Sequence, residues 1–128
     1  MISAVYLNMP VSDVSHSREF FTNLGFSVNE QFSGPDNVCI VINPSISAMF
    51  MTADKFTSFS KRELVGKDSA EVILSFACES AEVVRSISEK AFSLGARKIS
   101  EPEDNEYMFS WAFEDLDGHL WDLFWMKS

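Results

Sequence analysis

The sequence predicts an α+β fold of two tandem βαβββ modules, and three observations carry that prediction. Two segments with helical spacing of apolar residues end at the same dipeptide, Leu24-Gly25 and Leu94-Gly95, seventy positions apart. Each segment is preceded by one strand-like run and followed by three. The last strand patterns of the halves, 47–52 and 119–126, repeat at nearly the same offset. A supersecondary unit recurring at a fixed period signals an internal duplication.

In the first half, Val5 to Met9 alternates as a short strand and meets Pro10, which has no N–H to give a ladder. Ser12 or Asp13 supplies a helix N-cap. From Val14 to Leu24 the residues Val14, Ser17, Phe20, Phe21 and Leu24 share one helical face. Gly25 then stands where a helix favours a left-handed residue. Strands are expected at 26–32, 38–43 and 47–52, separated by Ser33-Gly34-Pro35-Asp36-Asn37 and by Asn43-Pro44-Ser45, both rich in turn formers. The polar segment after the last of them has Phe56, Phe59, Leu64 and Val65 spaced for a short amphipathic helix.

The second half follows the same plan. A strand at 71–77 leads to Ser80 as N-cap of a helix over 81–94, with Val83, Val84, Ile87, Ala91 and Leu94 on one face, and Gly95 ends it. Strands at 97–101, 107–114 and 119–126 complete the half. The acidic stretch 101–106 lacks calcium-loop spacing and reads as a solvated hairpin loop. The division is module one 1–53, connector 54–69 and module two 70–128, all one domain.

Composition narrows the partners. Hydrophobic residues make up 46% of the chain, with twelve Phe, enough for a packed core. Ten basic residues stand against nineteen acidic ones, a net charge of −9. Such a surface repels phosphate backbones, so neither nucleic acid nor an anionic membrane is an expected partner. No apolar run reaches a membrane span, and the N-terminal residues lack the pattern of a signal peptide. Cys39 and Cys78 sit singly in apolar runs, as reduced thiols do in the cytosol. A cytoplasmic protein is the expectation.

The doubled βαβββ unit and its closing Asp115-Leu116-Asp117-Gly118-His119-Leu120-Trp121-Asp122 resemble the glyoxalase / bleomycin resistance protein / extradiol dioxygenase (vicinal oxygen chelate) superfamily. Met9-Pro10-Val11-Ser12-Asp13 before the first helix and Phe20 to Phe26 at its end strengthen the resemblance. Leu116 departs from the family's usual Asp-Pro-Asp-Gly. The resemblance implies a curved, half-closed mixed sheet around a cavity with the helices outside, and a homodimer. It also implies four inward strand positions that carry a divalent metal in metal-dependent members. Here those positions are Tyr6, Phe50, Ile73 and Asp122. A catalytic divalent ion needs about three protein ligands, and His16 and His119 fall outside these positions. No cofactor is therefore expected; a divalent metal, if bound, would use Asp122.

An ionised carboxylate in a strand as apolar as 119–126 must be paired, hydrogen-bonded or wet. Asp122 is thus read either as a satisfied buried acid or as a general base. Glu71, with the same strand parity as Ile73, is the candidate second member of an acid–base pair, set against a plain solvent-exposed acid. Tyr6, Asn8, Phe50, Ile73, Ser75 and Trp111 are the candidate ligand-binding residues, with Met49, Met51, Met108 and Met126 as adaptable apolar wall. Trp121 and Trp125 are expected to face away from Asp122. The leading functional expectation is a metal-independent, resistance-type protein that binds an apolar or aromatic small molecule. The alternatives are a lyase or isomerase resembling lactoylglutathione lyase and using Asp122, and a structural or regulatory dimer without a working pocket.

Overall fold

The computed structural model describes residues 1–66 and 68–127. The chain forms two compact units, Met1–Leu64 and the part from Val65 onward. In the first, β1 (Val5–Val11) leads to α1 (Val14–Leu24), then to β2 (Ser27–Val28), a 3-10 turn (Glu30–Phe32), β3 (Asn37–Asn43), β4 (Ile46–Thr52) and α2 (Ala53–Ser60). In the second, β5 (Ile73–Ala77) leads to α3 (Ala81–Ser93), β6 (Arg97–Lys98), β7 (Glu103–Asp104), β8 (Met108–Glu114) and β9 (Leu120–Met126). No helix among the described residues is long and apolar enough to cross a membrane.

The two mixed sheets share one topology. The first is ordered β1-β4-β3-β2 and the second β5-β9-β8-β6, with β7 added alongside β8. In each, the first and last strands of the unit run parallel and the other pairs antiparallel. This is the duplicated α+β plan that the sequence predicts.

Local chemistry sets the helix ends. Asp13 caps α1 by accepting from the His16 N–H at 3.0 Å, and Ser80 caps α3 through the Val83 N–H at 3.2 Å. Gly25 and Gly95 follow the two helices at φ of 117° and 109°, where a Cβ would be strained. Helix α1 buries Ser17, Phe20, Phe21 and Leu24. Phe21 stacks on Phe50 of β4 with ring centroids 4.6 Å apart. Helix α3 buries Val84, Ser88 and Ala91, and Phe92 meets both Trp111 and Phe113 edge-on. Taking one Phe ring out of water contributes about 2–3 kcal/mol, so these aromatic contacts anchor each helix to its sheet.

Two expected strands keep only two residues each. The run 26–32 gives only two strand residues before the 3-10 turn, because the Asn29 side chain accepts from the Phe32 N–H at 3.3 Å and coils the chain. The run 97–101 stops at Lys98, and the acidic stretch taken for a loop contributes β7, whose Glu103 and Asp104 pair with Ser110 and Phe109. An Asp104–Lys127 ion pair further ties this segment down. The 54–69 segment does begin with a helix, α2, which packs on β1 and β4.

Candidate functional site

Strand parity divides each sheet into a face under its helix and a far face. In β1 and β4 the register pairs Tyr6 with Ser47, Asn8 with Met49 and Met9 with Phe50. Since successive side chains alternate, Tyr6, Asn8, Met49 and Met51 share the far face, and Phe50 lies under α1. Phe50 is 0% exposed against Phe21. It is core, and the expectation that it lines a ligand site is overturned. Its neighbours Met49 and Met51 take the positions expected of it. Tyr6 is 48% exposed, and its ring lies 6.3 Å from that of Phe32.

The far face of the first sheet carries an open, groove-like cavity of about 470 Å³. Its floor is Asn8 of β1, Asn37 of β3, and Met49 and Met51 of β4. One wall is the 3-10 turn, with Gln31, Phe32 and Ser33; the other is α2, with Lys55 and Phe59. Thr52 fixes the start of α2 by accepting from the Lys55 N–H at 3.2 Å. That cap sets Lys55 in the first turn, over Asn37.

Asn37 organises the polar part of this cavity. It is buried, and its Nδ2 donates to the Phe32 carbonyl at 2.8 Å and to Met49 Sδ at 3.0 Å. Its Oδ1 consequently points the other way and accepts from Lys55 Nζ at 3.4 Å. Lys55 makes no salt bridge among the described residues. Lys55 and Asn37 are the site residues that strand counting missed. Lys55 stands in a polar segment that reads as a connector, and Asn37 in a run that reads as a turn. The one available signal was the Thr52 cap, which places Lys55 three residues on, in the first turn of α2.

In the second unit, Ile73, Ser75 and Asp122 do share the far face, with Ser75 directly opposite Asp122 in the parallel β5–β9 ladder. Ser75 Oγ donates to Asp122 Oδ2 at 3.1 Å. Ile73 is 61% exposed. On β8, Ala112 stands opposite Asp122 and Glu114 opposite Leu120, so Glu114 is the carboxylate diagonal to Asp122. Glu114 is paired with Arg97 at 3.4 Å. Glu71 lies outside the strand and is exposed; β5 begins two residues later, so Glu71 is not held in the ladder beside Asp122. Trp111 is also corrected. Its parity is that of Phe113, it packs under α3 against Phe92 at 5.2 Å, and its Nε1 donates to the Ser100 carbonyl at 2.9 Å. Trp121 faces away from Asp122 as expected, stacked on Phe113 and close to Phe76.

The buried carboxylate of the C-terminal run is Asp115, not Asp122. Asp115 Oδ1 accepts from the backbone N–H groups of Asp117 and His119, each at 3.0 Å, and Oδ2 accepts from Trp121 Nε1 at 3.0 Å. Gly118 turns the chain between them at φ of 85°. Burial pushes the Asp115 carboxyl up, opposed by the nearby His119 and by the three N–H donors. This is a clamp on the β8–β9 turn.

The metal positions implied by the resemblance do not fit an ion. One aspartate, hydrogen-bonded to a serine, stands among Ile73, Leu120 and Ala112. Among the described residues no three of His, Cys, Asp and Glu gather as a ligand set.

Comparison with known proteins agrees with this architecture. Residues 4–43 match the family of bleomycin resistance protein-like N-terminal segments. A glyoxalase/bleomycin resistance protein/dioxygenase family enzyme from Burkholderia phytofirmans superposes with a TM-score of 0.81 at 17% identity, covering 95% of this chain and 97% of that one. The chain therefore shares its fold with proteins of the glyoxalase/bleomycin resistance/dioxygenase superfamily. A hypothetical protein from S. aureus is also similar, with a TM-score of 0.82, 26% identity and coverage of 97% and 94%. The genomically encoded fosfomycin resistance protein of Listeria monocytogenes superposes at 0.69 with 22% identity, over 100% and 94%. No curated protein matches the chain.

Proposed function

We propose that this protein is a metal-independent binding protein for an apolar or aromatic small molecule, and that its site is the cavity on the far face of the first sheet. The observation that carries this reading is the cavity itself. At about 470 Å³ it falls within the range of roughly 300–1,000 Å³ usual for small-molecule sites. Its composition also suits the role: two rings and two thioethers offer adaptable apolar contact, while amides at the floor give orientation. Phe32 and Phe59 are 48% and 67% exposed, so they serve a ligand more than they serve the core.

The test is a fluorescence titration with N-phenyl-1-naphthylamine, a neutral aromatic probe. Saturable one-site binding is expected, weakened about tenfold or more when Phe32 and Phe59 are both replaced by Ala, with the unfolding midpoint nearly unchanged. Absence of saturation in the wild-type protein would remove the reading.

A second reading, acid–base chemistry of lyase or isomerase type by Asp122, draws support from its place on a far face beside the Ser75 hydroxyl. Wherever turnover is found, Asp122→Asn should abolish it, and an unchanged rate rejects this role. We also propose that the protein works as a cytoplasmic homodimer; native mass spectrometry of the purified protein should then give twice the chain mass.

A further inference from the structure

We infer that the ligand of the first-sheet cavity is an organic monoanion, its apolar body held by Phe32 and Phe59 and its oxyanion held by Lys55. The inference rests on the binding role proposed above and adds the charge of the ligand to it.

Three observations carry it. Lys55 lines the cavity and is half-buried, yet among the described residues no carboxylate lies within salt-bridge distance of it. Lys98 and Lys127 do pair with carboxylates; of the described lysines left without one, Lys55 is the one that lines the cavity. An ammonium at an apolar wall with no carboxylate beside it leaves its charge for an anion arriving from solution. Secondly, the position of Lys55 is built. The Thr52 cap fixes the first turn of α2, and Asn37 Oδ1 accepts one ammonium proton at a long 3.4 Å. An ammonium has three donors, so two remain for a ligand. Thirdly, Asn37 cannot turn to offer its own N–H groups, because Nδ2 is engaged by the Phe32 carbonyl and Met49 Sδ. The buried amide thus presents an oxygen to the lysine and fixes the ammonium in place. Specificity for negative charge falls to Lys55.

The experiment compares two probes sharing one aromatic body, 8-anilinonaphthalene-1-sulfonate and its neutral counterpart N-phenyl-1-naphthylamine, against wild type and Lys55→Met. Methionine keeps the length and apolar stem of lysine and removes the charge. The expected result is that Lys55→Met weakens the sulfonate probe by about tenfold or more and leaves the neutral probe within about twofold. Raising the salt concentration should weaken only the sulfonate probe in the wild type. Equal effects on both probes, or none on either, overturn the inference while leaving a neutral-ligand pocket standing. Failure of both probes to bind the wild type overturns the pocket reading itself. Inorganic phosphate at millimolar concentration should not displace the sulfonate probe; displacement would show a bare-anion site and reject an organic ligand. Circular dichroism of Lys55→Met should superpose on the wild type, since Lys55 carries no ion pair that the fold needs.

Discussion

The two units are built on one strand order, yet they differ after their second strand, and that difference gives the first unit one wall of its cavity. After the second strand, the first unit coils into the 3-10 turn at Glu30–Phe32, whereas the second unit lays down β7 against β8. The repeat offset of seventy puts Ile99 where the first unit has Asn29, and Pro102 where it has Phe32. Asn29 supplies the side-chain acceptor and Phe32 the N–H that close the turn. Ile99 has no acceptor and Pro102 has no N–H, so the same bond cannot form. The first unit therefore raises a wall beside its sheet, with Phe32 on it. The second unit leaves Ile99 to Pro102 outside its strands and pairs the next two residues, Glu103 and Asp104, with β8; its buried carboxylate, Asp115, clamps the last turn.

The largest expected effect tests the assignment of faces. Phe50→Ala should cost about 3–5 kcal/mol, since it opens a cavity under α1. Tyr6→Ala, on the far face of the same sheet, should cost under about 1 kcal/mol. Urea unfolding of both variants decides it; similar losses would mean that the two residues do not lie on opposite faces. Next in size is the clamp. Asp115→Ala removes the acceptor that serves the buried Trp121 Nε1 and two backbone donors, for a loss of about 2–3 kcal/mol. Asp115→Asn should lose less, because its carbonyl still serves the Asp117 and His119 N–H groups while its amide meets the Trp121 donor.

A smaller effect is expected from making the units alike. Asn29→Ile copies the second unit into the first and should loosen the 3-10 turn by about 1 kcal/mol. That weakens the binding of N-phenyl-1-naphthylamine about fivefold, and unchanged binding would show that the Asn29 bond does not hold the wall. The smallest effect is electrostatic. The folded-state pKa of Asp115 lies above its unfolded value, so the folded protein holds this proton longer. Its contribution to stability is full below the unfolded pKa, about 4, and falls as pH rises through the folded pKa. The stability difference between wild type and Asp115→Asn should accordingly shrink as pH is raised across that window. A difference that grows instead would mean that the N–H donors outweigh burial.

Much of this was legible in the chain itself. Helix α1 lies at the residues its periodicity marks, the Asp13 and Ser80 caps and the Gly25 and Gly95 terminations follow from side-chain chemistry one turn long, and the duplication is written as a repeat. These are local properties, fixed by neighbours in sequence. The far-face placement of Asn8, Ser75 and Asp122 was also legible, because alternation along one strand needs no knowledge of its partner. Phe50 and Trp111 were misplaced for the complementary reason. Which parity of a strand turns toward a helix depends on its register with the next strand, and an apolar residue reads the same on either face. Glu71 failed because a strand pattern does not tell where the ladder begins. Lys55 and Asn37, eighteen residues apart, became a site only when β3, β4 and α2 packed together. Sequence set the elements and their order; tertiary register decided which side chains share a space, because residues distant in the chain meet only once strands and helices pack.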